Sequence, residues 1–173
     1  LLEYVQIEDF KKQLNLLRQD VDRPKYATNL VYLTNSEYTK KIERNIMYSI
    51  LDKRPKKADV YWFVNIVVTD NPYDAEYEIE TFGTSYIVKV QLRLGFRVDQ
   101  RLNLYLRQIS SDLVKSGEID IQCRNYTIMP DRKVGDFRFT LIQEQLSYES
   151  ELGFWESLVL KSKLFIKRYT VSP

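Results

Sequence analysis

Lys41, Arg44 and Tyr48 are the residues whose types and spacing point most directly to chemistry. If the surrounding segment is a helix that buries Ile42, Ile46 and Ile50, steps of about 100° per residue turn Arg44, Tyr48 and Lys41 to the opposite side. An aromatic ring between two cations can stack on a base and neutralise a phosphate. The same trio fits a protein contact, or a solvated helix face with a tyrosine lying across it. Just downstream, Lys53, Arg54, Lys56 and Lys57 surround Pro55. They suit a phosphate, and Lys53 and Arg54 also suit the negative end of a helix dipole. A third basic surface is the polar face of a strand that carries Arg93 and Arg97, with Arg101 beyond it on the next helix.

Catalytic chemistry has little to work with. The 173 residues include no histidine and one cysteine, Cys123. That excludes an ordinary Ser-His-Asp or Cys-His centre, an internal disulfide and a Cys-rich zinc site. No phosphate-binding glycine loop, dinucleotide fingerprint or nucleophile elbow is present. Carboxylates are spread singly. No enzyme activity, no metal and no cofactor is expected.

Composition sets the class. With 44% hydrophobic residues, five Gly and five Pro, the chain has material for one sizeable core and little for linkers. A net charge of +2 supplies no global field for a nucleic acid polymer. The longest apolar run, Val60 to Val68, is far short of the roughly 18–20 residues of a membrane span. The chain opens on Leu1, which suggests a soluble piece of a longer protein.

The elements that must position these residues follow from periodicity. A helical arm is expected from Ile7 to Arg18, broken before Pro24. It makes residues 1–25 a connector and residues 26–173 an α/β domain. Asn29 to Thr34 reads as a strand. Asn35 or Ser36 is expected to cap a helix from Glu37 to Leu51. Val60 to Thr69 suits a central strand covered on both faces. Tyr77 to Thr81 and Tyr86 to Phe96 form a hairpin across Phe82-Gly83-Thr84-Ser85. Val88, Val90, Leu92 and Leu94 alternate there with Lys89, Gln91 and Arg93, one face core and the other polar. Asp99 can cap the next helix and Gly117 can close it, with Leu102, Leu106, Ile109 and Leu113 as its core stripe and Leu104 pointing outward. Ile121 to Ile128 and Asp136 to Leu146 read as two further strands, and Leu152 to Tyr169 as a closing helix. The fold class is α/β, a mixed central sheet flanked by helices, in a single domain with an N-terminal helical arm.

With the elements placed, the order of short words resembles a known family. "NLVYLTNSE", a helix with "ERNIMYSIL", "ADVYWFVNIVVTDNPY" and "LRLGFRVDQRLNLYL" are similar to the C-terminal region of the Kup potassium uptake transporters, over nearly the whole chain from Tyr26. The family's "YGF"-like turn reads Leu94-Gly95-Phe96 here. Its usual histidine-asparagine pair reads Arg44-Asn45, which resembles the Kup proteins of lactic acid bacteria. The resemblance implies a multi-span importer of potassium with protons, with this domain on the cytoplasmic side as a regulator. It implies cyclic di-AMP as an inhibitory ligand, the membrane domain of the same transporter as a partner, and a homodimer. Lys41 and Arg44 for phosphate, Tyr48 for stacking and Arg54 and Lys57 for added charge are then the expected contacts. The alternative is a structural dimerisation domain with no small-molecule ligand.

Overall fold

The computed structural model describes residues 3–98, 102–122, 126–140, 142 and 167–168. Its spine is the apolar run expected to be central. Strand β4 (Ala58–Thr69) follows β1 (Tyr4–Gln6), β2 (Ala27–Leu33) and β3 (Lys41–Glu43), and precedes β5 (Ala75–Glu80), β6 (Ile87–Gly95), β7 (Phe137–Thr140) and β8 (Lys167–Arg168). The main sheet has six strands in the order β7-β2-β4-β6-β5-β8. β4 lies parallel to both neighbours, with Leu33 opposite Val64 on one side and Tyr61 opposite Ile87 on the other. β5 closes back antiparallel on β6, so the sheet is mixed, as expected. The hairpin turn is made by left-handed Phe82 and Gly83, with the Thr84 amide donating to the Thr81 carbonyl. At the other end of β6, a Cβ on Gly95 would overlap the backbone of Asn71 and Pro72, so a side chain there would displace the β4–β5 turn.

Helices cover both faces. Helix α3 (Leu102–Lys115) buries Leu102, Leu106, Ile109 and Leu113 against Val31, Val60, Trp62, Val64, Val88 and Val90. Gly117 stands just past it with a positive φ, in the expected closing position. Leu104 on this helix is half-buried and stands outside the core cluster that α3 packs, as its position off the stripe predicts. On the opposite face a 3-10 turn at Ile7–Phe10 leads into α1 (Lys11–Arg18), and α2 (Arg44–Leu51) lies beside it. Ile7, Leu14, Ile46 and Ile50 pack there on Leu30, Tyr32, Tyr61 and Phe63. The arm therefore joins the core of the sheet.

Three sequence expectations change. The helix expected from Glu37 begins at Arg44, because Lys41–Glu43 instead pairs antiparallel with Tyr4–Gln6 as a two-stranded ribbon. Neither Asn35 nor Ser36 caps the helix; Glu43 holds the capping position without a side-chain bond, and the Arg44 amide donates to the Glu3 carbonyl at 2.8 Å. Second, the described residues between Ile121 and Ile128 form no strand; the Gln122 amide donates to the Lys133 carbonyl at 2.9 Å and the segment runs as loop. Third, the strand expected from Asp136 is seen at Phe137–Thr140. The expected helix at 152–169 and the positions Asp99, Arg101 and Cys123 lie outside the described residues, except that Lys167–Arg168 is strand.

Candidate functional site

The two ends of α2 divide the basic candidates. Eight helical residues span about 12 Å at 1.5 Å per residue. At the N-terminal end Lys41 sits in β3, with its ammonium 5.2 Å from the centre of the Tyr38 ring. Tyr38 meets Tyr4 edge-on, with ring centres 5.9 Å apart. Arg44 is the first residue of the helix and reaches the Glu3 carboxylate at 3.0 Å across a bridge whose arginine side chain is 66% exposed. Such a bridge is weak and exchangeable in water. Tyr48, one turn later, is 55% exposed, and Tyr38 is 60% exposed. Tyrosines and cations thus do come together here. Lys41 joins them through the ribbon, not through a shared helix face.

The C-terminal end of α2 is differently occupied. Lys56 donates to the carbonyls of Ser49, Lys53 and Arg54, tying off the last turn of the helix. Burial lowers its ammonium from the usual lysine value, and the charges of Lys53 and Arg54 lower it further. Lys57 donates to the Asp20 carbonyl at 2.7 Å and so fastens the loop after α1. Arg54 is exposed and stands in the left-handed region with φ 59°. Arg54 and Lys57 therefore flank a structural turn, a helix length from Lys41 and Arg44. The third basic surface is also engaged: Arg93 donates to Glu78 and to Gln91, and Arg97 lies 5.8 Å from the Phe96 ring centre.

Sequence reasoning missed the buried polar cluster that holds the tyrosine-bearing loop. Glu43 is 1% exposed, and its carboxylate accepts the Thr34 hydroxyl and the Asn35 amide, both at 2.7 Å. Lys89, 2% exposed, donates its ammonium to the Ser36 carbonyl at 3.0 Å. Asn65 donates to the Thr34 carbonyl, and Gln91 donates in turn to Asn65. These groups fix residues 34–36, just beyond the carboxyl end of β2, over Asn65 in β4 and Lys89 in β6. The signal available in the sequence was Lys89 itself. Its strand neighbours one that is apolar on both faces, and such a position is covered.

A second missed feature is a polar cleft of about 320 Å³, counted with its open mouth, lined by Gln122, Thr127, Arg132, Val134, Gly135 and Asp136. Its floor is a reciprocal amide pair. Asn29 donates to Gln122 at 2.8 Å and Gln122 donates back at 2.7 Å, while the Trp62 indole donates to Asn29 at 3.0 Å. Arg132 is clamped on Asp136 at 2.6 Å. Among the described residues no three metal-ligating side chains converge, and no helix is long and apolar enough to cross a membrane.

Comparison with known proteins agrees with the reading of the sequence words. Residues 27–173 match the family described as K+ potassium transporter C-terminal domain. A probable potassium transport system protein Kup of Clostridium perfringens is 66% identical over 173 residues, all of this chain and 26% of that protein. Proteins of the same name are 50% identical in Enterococcus faecalis over 99% of this chain and 26% of theirs, and 48% identical in Lacticaseibacillus casei over 95% of this chain and 24% of theirs. The chain thus spans about a quarter of the length of these relatives. No solved structure matches it. An α/β domain with this order of elements, matched over nearly its whole length, belongs to the K+ potassium transporter C-terminal domain family, in its Gram-positive Kup branch.

Proposed function

We propose that this chain is the cytoplasmic regulatory domain of a Kup-type importer that takes up potassium with protons, and that it binds cyclic di-AMP, which inhibits import. The relatives' names, potassium transport system proteins, support transport by the whole protein and no catalytic activity. The observation that carries the regulatory half is the surface at the N-terminal end of α2. There, exposed Tyr38 and Tyr48 flank Lys41 and Arg44, and among the described residues the arginine's ion pair is an exposed bridge to Glu3. Adenine rings suit the tyrosine faces and the two phosphates suit the cations. A ligand with two-fold symmetry suits a site repeated across a homodimer axis. Arg54 and Lys57 stand a helix length away, so they add positive charge to the region and no contact to this surface. Inhibition requires the ligand to favour a closed state of the membrane part; a 100-fold preference is worth about 2.7 kcal/mol.

A second reading is a dimerisation domain without a ligand. What favours it is the succession of exposed apolar residues Ile121, Tyr126, Ile128 and Met129 in the segment before β7. Calorimetric titration of the chain with cyclic di-AMP, with ATP as the control, separates the two. Heat with cyclic di-AMP alone is the expected result. No heat and no thermal shift with cyclic di-AMP leaves the dimerisation reading.

A further inference from the structure

The loop that carries Tyr38 is held by charges that have no part in ligand chemistry. Residues 34–40 leave β2 and return in β3, so their position fixes both the tyrosine surface and the ribbon with β1. One end is tied by Glu43 to the Thr34 hydroxyl and the Asn35 amide. The middle is tied by the Lys89 ammonium to the Ser36 carbonyl. Thr39 touches Glu78 on β5 at 3.5 Å. The Ser36 hydroxyl is buried with no hydrogen-bond partner among the described residues. Swinging the loop outward would hydrate that hydroxyl and the Lys89 ammonium together.

We infer that Lys89 is a proton-dependent latch on the 34–40 loop: with its proton bound the loop opens more readily, and without it the loop stays closed. A fully buried ammonium with a protein carbonyl as its acceptor is poorly compensated for the water it has lost. The charged groups facing it are Glu43 from β3, and Glu78 and Glu80 from β5. Glu80 stands opposite Lys89 in the register, with its carboxylate taken by the Phe82 amide, and Glu78 is shared with Arg93. None lies close enough to Lys89 for a direct ion pair among the described residues. Desolvation accordingly wins. It pulls Lys89 from the lysine value of 10.5 to about 8, against the upward push of Glu43 and Glu78. The sign follows from linkage: an open loop exposes Lys89 to water and restores its affinity for a proton, so opening takes up a proton above pH 8 and is opposed as pH rises. The consequence for ligand affinity rests on the regulatory role proposed above; the latch itself does not.

Hydrogen exchange of the Asn35 and Ser36 amides, corrected for base catalysis, reads loop opening directly. For a proton lost near pH 8, protection is expected to rise about tenfold between pH 7 and pH 9. In Lys89→Met, checked for native circular dichroism, it is expected to stay flat. Nuclear magnetic resonance of the Lys89 side chain in the unchanged protein is a second measurement, expected to show a midpoint near 8. Flat protection in the unchanged protein, the same rise in Lys89→Met, or a Lys89 midpoint near that of a solvated lysine would overturn the latch. Cyclic di-AMP titrations at pH 7 and 9 keep the two ideas apart. Absence of binding at both removes the regulatory role and leaves the exchange result to decide the latch.

Discussion

The two faces of the central sheet are built from different materials. Under α3 the face is apolar but for Asn29 at the start of β2, running from Val60, Trp62 and Val64 to Val88, Val90, Leu92 and Leu94. Under α1 and α2 it is apolar only in its first half, at Leu30, Tyr32, Tyr61, Phe63 and Ile87. Toward the carboxyl ends of the strands it turns to Asn65, Lys89, Gln91 and Arg93, and a loop covers it where a helix could have. The first face is complete in itself. The second is covered by groups that hold charge and position, and every candidate ligand contact sits on that side or at its rim. Stability and function are therefore expected to separate by face.

The largest effect should come from the apolar face. Trp62→Ala removes a fully buried ring and the indole bond to Asn29, at a cost of about 3–5 kcal/mol in denaturant unfolding. Ligand affinity of the remaining folded protein should be unchanged. An equal loss of affinity would show that the two faces are not separable. Glu43→Ala on the other face takes away the acceptor of two buried bonds and should lower stability by about 1.5–3 kcal/mol. It should also raise exchange at Asn35 and leave amides of α3 protected.

The dependence on pH sharpens the contrast further. Lys89 sheds its proton near 8 in the folded chain and near 10.5 when unfolded, so stability should rise between pH 8 and 10 by up to about 1.4 kcal/mol per unit. Burial raises Tyr32 and Tyr61 to about 12, so their contribution is whole below pH 10 and is lost as pH climbs toward 12. Urea unfolding across this range should show a maximum near pH 10. In Lys89→Met most of the rise should vanish, leaving the smaller part that the lowered Lys56 supplies, and the fall remain. A fall that begins below pH 9 in the unchanged protein would contradict this assignment.

What the sequence made legible was what period alone decides. The apolar run of β4, the alternation of β6 and the stripe of α3 each need no knowledge of a partner. The errors fall where a distant strand outweighs local preference. Residues 37–43 carry helix-like spacing, yet Lys41–Glu43 pairs with Tyr4–Gln6 and Glu43 is drawn down onto Thr34 and Asn35. Lys89 read as one more residue of a polar strand face, because alternation gives the face and not what covers it. For the site, residue types pointed to Lys41, Arg44 and Tyr48. Spacing was silent on Tyr38, which the ribbon brings to Lys41 and Tyr4.

The smallest effects on stability belong to the surface at the N-terminal end of α2. Arg44→Ala breaks an exposed bridge and should change stability by less than about 1 kcal/mol. Tyr48→Ala should do no more than about 0.5 kcal/mol. Both should weaken cyclic di-AMP binding, by about 1.5–3 kcal/mol for the arginine and about 1–3 kcal/mol for the tyrosine. Variants that lose stability without losing affinity would place these residues in the scaffold.

The most direct test is a heteronuclear magnetic resonance titration of the chain with cyclic di-AMP, because it reports location and binding together. Shifts are expected at Tyr38, Lys41, Arg44 and Tyr48, with smaller ones through Asn35 and Ser36 toward Lys89, and none in α3. Shifts confined to Gln122, Arg132 and Asp136 in the polar cleft, or to Arg93 and Arg97, or no shifts at saturating ligand, would contradict the proposed site.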